Sequence, residues 1–257
     1  MSRETVLITG ASAGIGRELA RCFAADGAAL VLVARRGDEL EALAAELTRE
    51  HGVPARIMAT DLAYYNTPAE VAELLGADGI EVDVLVNDAG FGARGEFAGL
   101  DPARLLAMLQ VNVTALTHLT RLLLPGMLAR RRGGVLNVAS TAAFQPGPGM
   151  AVYYATKAYV LSFSEALSEE LRGTGVTATC LAPGATATEF AAVAGLTRSR
   201  LFRAGVMRAD VVARAGHAGF RRGRALVVPG WKNRAGAALV PLAPRAVVRR
   251  LVRGLNR

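Results

Sequence analysis

Short apolar runs alternate with longer amphipathic stretches along most of the chain. The apolar runs are rich in β-branched residues and lie at 5–9, 29–34, 55–59, 83–88, 134–140, 176–182 and 225–229. Runs that are apolar at successive positions are typical of strands buried on both faces. Between them, stretches such as 14–27 and 37–52 have apolar residues at helical spacing. This alternation predicts an α/β fold with a doubly wound parallel sheet of about seven strands and helices on both faces.

The composition is that of one folded domain without a membrane span. The 257 residues contain neither an internal repeat nor a low-complexity linker, so we expect a single domain over 1–257. Although 52% of the residues are hydrophobic, no apolar run of about 18 residues is free of charge. No secretory leader is recognisable, and Cys22 and Cys180 match no metal-site spacing. These features favour a cytoplasmic protein with two reduced cysteines.

Charge is distributed unevenly along the chain. Residues 1–190 contain 15 basic and 21 acidic residues, a net charge of −6. Residues 191–257 contain 15 basic residues and a single acid, Asp210, a net charge of +14. The last quarter is therefore a strongly basic region on a mildly acidic body, and it bears on the choice of substrate or partner.

The first predicted strand runs into a glycine-rich turn, TGASAGIG at 9–16, that opens a helix. Gly10 permits a tight turn, Gly14 lets backbone amides approach a pyrophosphate, and Gly16 allows close packing of helix on strand. The helix N-terminus presents unpaired N–H groups and a positive dipole end to phosphates. This arrangement predicts a Rossmann dinucleotide-binding turn.

The end of the second strand indicates which dinucleotide binds. A cofactor with a free adenosine ribose usually meets an acid there, but this strand ends in Arg35 and Arg36, with no carboxylate before Asp38. Two guanidiniums suit a 2′-phosphate, and Ser12 in the glycine turn adds a hydroxyl. NADP(H) is therefore favoured over NAD(H), although an exposed arginine pair at a helix start remains the alternative.

Seven short motifs follow in a fixed order along the chain. They are TGASAGIG at 9–16, Asp61-Leu62, NDAG at 87–90, Asn112 within QVNVTAL, Ser140, YYATK at 153–157 and PGATATEF at 183–190. With these motifs in this order, the chain resembles the short-chain dehydrogenase/reductase family over nearly its whole length. The resemblance is to the ketoacyl-reductase-like branch in particular. The resemblance implies a single Rossmann domain and an oxidoreductase.

The same resemblance implies a catalytic tetrad of Asn112, Ser140, Tyr153 and Lys157. Tyr153 lies four residues before Lys157, the family's spacing, whereas Tyr154 is expected to be a packing or substrate-side neighbour. Carbonyl reduction needs a proton delivered to oxygen, and an ammonium one helical turn from Tyr153 is expected to lower the tyrosine pKa. Ser140 would hold the substrate oxygen, and Asn112 would anchor a water linked to Lys157.

The cofactor-binding residues form a larger set. Those predicted from the turn, the arginine pair and the resemblance are Gly10, Ser12, Ala13, Gly14, Ile15, Gly16, Arg35, Arg36, Asp61, Leu62, Asn87, Ala89, Gly90, Tyr153, Lys157, Pro183, Gly184, Thr186 and Thr188. Two positions depart from the family's pattern, because Ala13 stands where many NADP-preferring members have a basic residue and Asp88 replaces the second Asn of NNAG. No metal site is expected, since His118 and His217 are isolated.

The basic last quarter contains two further predicted units. The resemblance implies a substrate-binding lobe at about 185–215, whose arginines suit an anionic substrate or simply face solvent. Residues 244–257 predict a basic amphipathic helix, with Arg245, Arg249, Arg250, Arg253 and Arg257 on one side and Val247, Val248, Leu251, Val252 and Leu255 on the other. This helix is suited to weak contact with an anionic membrane surface or to packing on the body. No nucleic-acid motif is present.

The sequence therefore predicts an NADP(H)-dependent oxidoreductase that interconverts a ketone and a secondary alcohol by hydride transfer. Tyr153 is the expected general acid/base, and the resemblance suggests a hydrophobic, acyl or steroid-like substrate. The alternatives are a non-catalytic NADP-binding sensor or scaffold of the same fold, and a peripheral membrane-associated reductase. By the same resemblance we expect a homodimer or homotetramer, with helices around 101–130 and 152–172 at the interface.

Overall fold

The computed structural model describes residues 3–197, 199 and 205–256. Its central sheet has seven parallel strands in the order β3-β2-β1-β4-β5-β6-β9. These strands are β1 (Thr5–Thr9), β2 (Ala29–Ala34), β3 (Ala55–Ala59), β4 (Val84–Asn87), β5 (Gly134–Val138), β6 (Thr177–Leu181) and β9 (Leu226–Val227). A separate parallel pair, not predicted, joins β7 (Thr186–Ala187) to β8 (Met207–Arg208).

Helices cover both faces of this sheet. They are α1 (Gly14–Ala25), α2 (Gly37–His51), α3 (Thr67–Ala77), α4 (Pro102–Leu109), α5 (Leu116–Arg130), α6 (Ala151–Glu170), α7 (Phe190–Val193), α8 (Ala209–Arg221), α9 (Trp231–Leu239) and α10 (Arg245–Asn256). Short 3₁₀ turns lie at Phe97–Gly99, Thr141–Phe144 and Val240–Leu242, and a π-helix at Gln110–Ala115 joins α4 to α5. The predicted fold class, a doubly wound α/β sheet of the Rossmann type, is confirmed.

Alternate residues of β1 enter opposite halves of the core. Ile8 packs with apolar residues of α1, α2 and α8, whereas Leu7 packs with α3, α5 and α6. Both side chains are fully buried, and burial of each stabilises the fold by about 1.5–3 kcal/mol. The two-sided burial explains why the strands appear as continuous apolar runs in the sequence. The strand order places β1 and β4 side by side at the centre of the sheet. The chain reverses its winding direction there, and a ligand crevice forms at such a point.

A helix at Arg245–Asn256 occupies the predicted C-terminal segment, but its apolar side is divided. Val248 and Val252 are buried against the body, in line with Asn256, because residues four apart share one face of a helix. Leu251 is 64% exposed, and Val247 and Leu255 are also exposed, so the predicted single apolar face packs only in part. No helix in the described part of the chain is long and apolar enough to span a bilayer.

Four arginines of the basic last quarter lie outside the described residues. They are Arg198, Arg200, Arg203 and Arg257. The described part of the predicted lobe contains β7, α7, β8 and the start of α8. Cys22 and Cys180 are both free thiols, and Cys180 is buried in the core.

Candidate active site

The glycine turn after β1 is shaped by contacts that exclude side chains. Gly10 has φ of 71°, and a Cβ there would lie 2.9 Å from the backbone nitrogen of Ala89. A Cβ at Gly16 would lie 2.6 Å from both the carbonyl oxygen of Gly10 and Oδ2 of Asp88. Glycine is therefore required where the turn meets β4 and where α1 meets the turn. These approaches aim the N-terminus of α1 into the crevice, which suits it to bind phosphate.

A cavity of about 700 Å³ lies at the carboxyl ends of the central strands. Most predicted cofactor residues line it, namely Gly10, Ser12, Ala13, Gly14, Ile15, Arg35, Arg36, Asp61, Leu62, Ala89, Gly90, Tyr153, Lys157, Pro183, Gly184, Thr186 and Thr188. The cavity extends from the arginines after β2 to the first turn of α6. Of the predicted set, only Gly16 and Asn87 lie away from its wall.

Asn87 has a different place from the predicted one. It is one of the predicted cofactor-binding residues, but its side chain is buried beneath the site. Its Nδ2 donates to Oδ1 of Asn137 on β5 at 2.9 Å and to Oγ1 of Thr120 on α5 at 3.2 Å. Asn137 in turn donates to Ser164 on α6 at 2.9 Å. Asn87 therefore joins β4 to its neighbours, because a buried amide must find partners and the sheet supplies them.

The adenosine end of the cavity contains two arginines, each beside a carboxylate, and a serine hydroxyl. Arg36 Nη2 donates to Oγ of Ser12 at 3.3 Å and lies 3.0 Å from a carboxylate oxygen of Glu189. Arg35 is mostly exposed, with its guanidinium 3.9 Å from Oδ2 of Asp61. Arg36 and Ser12 thus converge on one point of the cavity edge, and this donor set fits a 2′-phosphate.

The predicted proton-transfer residues meet at the other end. Tyr153 and Lys157 lie one turn apart on α6, and Ser140 follows β5 directly. The Tyr153 hydroxyl lies beside the Ser140 side chain, whose Oγ accepts the N–H of Ala142 at 3.1 Å. The Lys157 ammonium donates to the carbonyl oxygen of Val138 at 2.8 Å and lies 5.9 Å from the centre of the Tyr153 ring. Ser140, Tyr153 and Lys157 all line the cavity.

Burial dominates the ionisation of this cluster. It raises the pKa of Tyr153 above its usual range, and the neighbouring Ser140 side chain opposes this rise only in part. Burial lowers the pKa of Lys157, opposed by the nearby carboxylate of Asp88 and then by Cys180. We expected Lys157 to lower the tyrosine pKa. The net shift of the Tyr153 pKa is instead upward, because withdrawal of the phenolate from water is its largest cause.

Asn112 lies behind the cavity wall. Its Oδ1 accepts the N–H of Phe91 at 3.1 Å, and its Nδ2 donates to the carbonyl of Phe91 at 3.0 Å and to Oγ1 of Thr156 at 3.1 Å. The π-helix places this amide so that it fixes the loop after β4 to α6. A Cβ at Gly90 would lie 3.1 Å from Asn112 Oδ1 and 3.4 Å from Lys157 Nζ, so the two groups are close, but the hydrogen bonds of Asn112 go to Phe91 and Thr156.

Sequence reasoning missed Asp88 as a site residue. Its carboxylate lines the cavity and accepts the backbone N–H of Gly16 in the first turn of α1. Burial raises the pKa of Asp88 well above its usual range, although the Lys157 ammonium and this hydrogen bond act in the opposite direction. The available signal was the departure from NNAG at this position.

The wall beyond Tyr153 is predominantly apolar. Besides Tyr154, it is formed by Phe91, Ala107, Val111, Ala142, Met150, Phe190, Val193, Leu196, Val252 and Leu255, with Gln145 as a polar member. The Phe190 ring lies 5.1 Å from that of Tyr153. The predicted lobe thus contributes through Phe190, Val193 and Leu196, whereas the contribution of α10 was not predicted. Among the described residues, no group of three or more metal-ligating side chains comes together.

Comparison with known proteins agrees with this geometry. The model of the short chain dehydrogenase family matches residues 4–198. An NADP-dependent 3-hydroxy acid dehydrogenase of Salmonella typhi is 38% identical over 197 residues, covering 73% of this chain and 75% of that protein. A short-chain dehydrogenase from Sphingobium yanoikuyae, solved in complex with NADPH, has a TM-score of 0.85 and 35% identity, with 95% of each chain covered.

A second solved structure is relevant to the apolar end of the cavity. It is the bulky-bulky ketone specific alcohol dehydrogenase from Comamonas testosteroni, with a TM-score of 0.79 and 30% identity. The alignment covers 96% of this chain and 97% of that one. With the family match over most of its length and the seven motifs around one crevice, this chain belongs to the short-chain dehydrogenase/reductase family, oxidoreductases that act on alcohols and ketones.

Proposed function

We propose that this protein is an NADP(H)-dependent oxidoreductase that interconverts a hydrophobic ketone and its secondary alcohol, with Tyr153 as general acid/base. One observation carries the proposal. Tyr153 is buried and lines the cavity together with Ser140, at the point where the polar half of the cavity meets its apolar half. A carbonyl placed there would have a proton donor on its oxygen and an apolar wall around its substituents.

The cofactor would be held by residues of three elements. The N-terminus of α1 is aimed at the pyrophosphate, and Arg36 with Ser12 at the 2′-phosphate. NADP(H) supplies the hydride when bound. The NADPH complex of the Sphingobium relative and the NADP dependence in the name of the Salmonella relative support this choice. The absence of an acid at the end of β2 supports it from the sequence.

The proton in reduction would come from Tyr153. Because burial raises its pKa, the phenol is protonated at neutral pH, which is the form that donates to a carbonyl oxygen. Ser140 would donate a hydrogen bond to the same oxygen and stabilise its developing charge. Lys157 is held on the Val138 carbonyl at 2.8 Å, where its positive charge would stabilise the phenolate left after transfer. Asn112 would act through the loop and helix that it joins.

The substrate would be mainly apolar. Ten apolar side chains and Tyr154 form the wall beyond Tyr153, whereas cationic side chains of the described residues line only the adenosine end and the Lys157 position. An acyl or steroid-like ketone has the matching chemistry. The Comamonas relative, named for ketones with two bulky substituents, supports a large substrate.

Cofactor titration tests the first half of the proposal. The wild type should bind NADPH at least about tenfold more tightly than NADH, and Arg36→Ala should reduce that ratio by about tenfold with little effect on NADH. Arg49→Ala, which removes an exposed arginine of α2 paired with its neighbour Glu50, is the matched control. Equal affinity of the wild type for the two cofactors would contradict the assignment. A panel of ketones of increasing size, followed by NADPH consumption, tests the second half.

A further inference from the structure

The end of α10 is fastened to the active site by one amide side chain. Asn256 is only 3% exposed. Its Oδ1 accepts the hydroxyl of Tyr154 at 3.0 Å, and its Nδ2 donates to the carbonyl oxygen of Pro148 at 3.0 Å. Tyr154 is the residue after the proposed acid, and Pro148 lies in the loop that leads from Ser140 to α6. Asn256 therefore joins three separate segments around the cavity.

The inner face of α10 belongs to the apolar wall of the site. Val248 and Val252 are 7% exposed, and they pack in the same buried cluster as Met150, Tyr153 and Tyr154. Val252 and Leu255 also line the cavity itself. Any movement of the last two turns of α10 would therefore change the space that surrounds the apolar part of a substrate.

The loop between Ser140 and α6 packs closely against Tyr154 and is hydrogen-bonded to Gly95. A Cβ at Gly147 would run into the Tyr154 ring, and Gly149 accepts the N–H of Gly95 at 2.9 Å. The Pro148 carbonyl lies between these two contacts and is held by Asn256. The last turn of a helix frays unless its groups are bonded elsewhere, and here the bonds go to this loop and to Tyr154.

We propose that Asn256 and Tyr154 form a latch that holds α10 as a wall of the substrate cavity, and so determine how well bulky ketones bind. Asn256 is a positioning residue, since it acts on the substrate through Val252 and Leu255, whereas Tyr154 also lines the cavity itself. The inference rests on the proposed function for the nature of the substrate, but not for the existence of the latch. It assigns to Tyr154 a role distinct from that of Tyr153, although the two are adjacent on one helix.

Steady-state kinetics with a matched pair of ketones tests the specificity role. In Asn256→Ala and Tyr154→Phe, the KM for a ten-carbon ketone should rise about tenfold, since apolar pocket contacts give discrimination of this order. In Asn256→Ala, the kcat and the KM for a four-carbon ketone should change by less than about twofold, because Asn256 lies outside the cavity wall and the reacting groups remain in place. Arg249→Ala, on the exposed side of α10, should leave both KM values unchanged.

Hydrogen–deuterium exchange without substrate tests the latch separately from turnover. Backbone amides of 248–256 and 145–150 should exchange about tenfold faster in Asn256→Ala than in the wild type or Arg249→Ala. Unchanged exchange in both segments would overturn the latch. Faster exchange with an unchanged ratio of the two KM values would overturn its role in specificity. If the wild type reduces neither ketone, the proposed function and the specificity role fail together, and exchange alone decides the latch.

Discussion

At the scale of single residues, burial sets the charge state of the site. Asp88, Tyr153 and Lys157 face one cavity, and in each of them withdrawal from water favours the neutral form. The opposite charges of Asp88 and Lys157 attract one another, which favours the charged form of each and opposes the effect of burial. Burial therefore holds Tyr153 as a phenol, the form that donates a proton, and brings the pKa of Asp88 to about 7 and that of Lys157 to about 8.

Asp88 should make stability fall as the pH rises. Its folded-state pKa is raised from 3.8 to about 7, so the folded protein binds more protons than the unfolded chain between these values. The free energy of unfolding should therefore decrease across this window, the reverse of the usual effect of a carboxylate. Asp88→Asn keeps an acceptor for the Gly16 N–H and removes the effect.

Urea denaturation at about pH 5 and about pH 8 measures this. Asp88→Asn should be more stable than the wild type at the higher pH by about 1 kcal/mol, and the difference should shrink at the lower pH. A difference that is independent of pH would show that Asp88 does not titrate in this window.

The raised pKa of Tyr153 also predicts opposite pH profiles for the two directions of reaction. Alcohol oxidation needs the phenolate as base, so its rate should increase from about pH 6 to about pH 10. Ketone reduction needs the phenol and should be level around neutral pH and decline only at the alkaline end. Initial rates in both directions across this range provide the measurement, and an oxidation rate that is highest near pH 6 would argue against Tyr153 as the base.

At the scale of elements, the junction of β1, turn and α1 is the most constrained part of the site. Its three glycines were identified from the sequence because each has a conformational or packing purpose that other residues cannot serve. In the structure, Gly10 lies against Ala89 and Gly16 lies against Asp88. No local pattern could reveal these contacts, because Asp88 and Ala89 follow a different strand, β4.

Gly10→Ala should destabilise the protein more than a matched change elsewhere. The new Cβ would be strained at φ of 71° and would also press on the Ala89 backbone, so we expect a loss of about 2 kcal/mol or more and weaker NADPH binding. Gly27→Ala has a comparable φ of 84° but open space, and should cost about 1 kcal/mol. Thermal or urea denaturation of the two variants compares them, and equal losses would refute the steric argument.

The C-terminal helix shows where prediction from sequence ended. Its periodicity predicted an amphipathic helix correctly, but could not say which apolar residues would pack. Val248 and Val252 are buried because the helix lies against α6 and its loop. Asn256 is buried because it hydrogen-bonds to residues more than one hundred positions away in the sequence. The same long-range origin explains why Asn87 and Asn112, both recognised as motif residues, have partners that their neighbours in sequence did not indicate.

At the scale of the whole molecule, the order of apolar runs and helical stretches was sufficient to predict the sheet. Parallel strands buried on both faces have a distinctive sequence, and right-handed crossovers restrict their arrangement. The short pair β7 and β8 was missed because two-residue strands have no periodicity.

Association is the remaining prediction at this scale. Exposed apolar side chains lie on α4, α5 and α6, among them Leu106, Leu109, Leu122 and Tyr159. The Tyr159 hydroxyl lies 2.9 Å from that of Thr117, so α5 and α6 present a joint face. We predict a dimer or tetramer through this face.

Light scattering after size-exclusion chromatography tests the predicted interface. The double variant Leu122→Glu/Tyr159→Glu should reduce the mass to that of a smaller species, because buried carboxylates without partners are costly. Leu74→Glu on α3, where the leucine is 51% exposed, should leave the mass unchanged. A wild type that is already monomeric would contradict the prediction.

The central claim is that Tyr153 transfers the proton while NADPH supplies the hydride, and one comparison tests it most directly. Turnover of a small apolar ketone with NADPH is measured in the wild type, Tyr153→Phe and Tyr154→Phe, alongside NADPH affinity. Tyr153→Phe should lose about 10²- to 10⁴-fold in kcat with unchanged NADPH binding, whereas Tyr154→Phe should retain turnover within about twofold. Full activity of Tyr153→Phe, or loss of activity in Tyr154→Phe alone, would contradict the account.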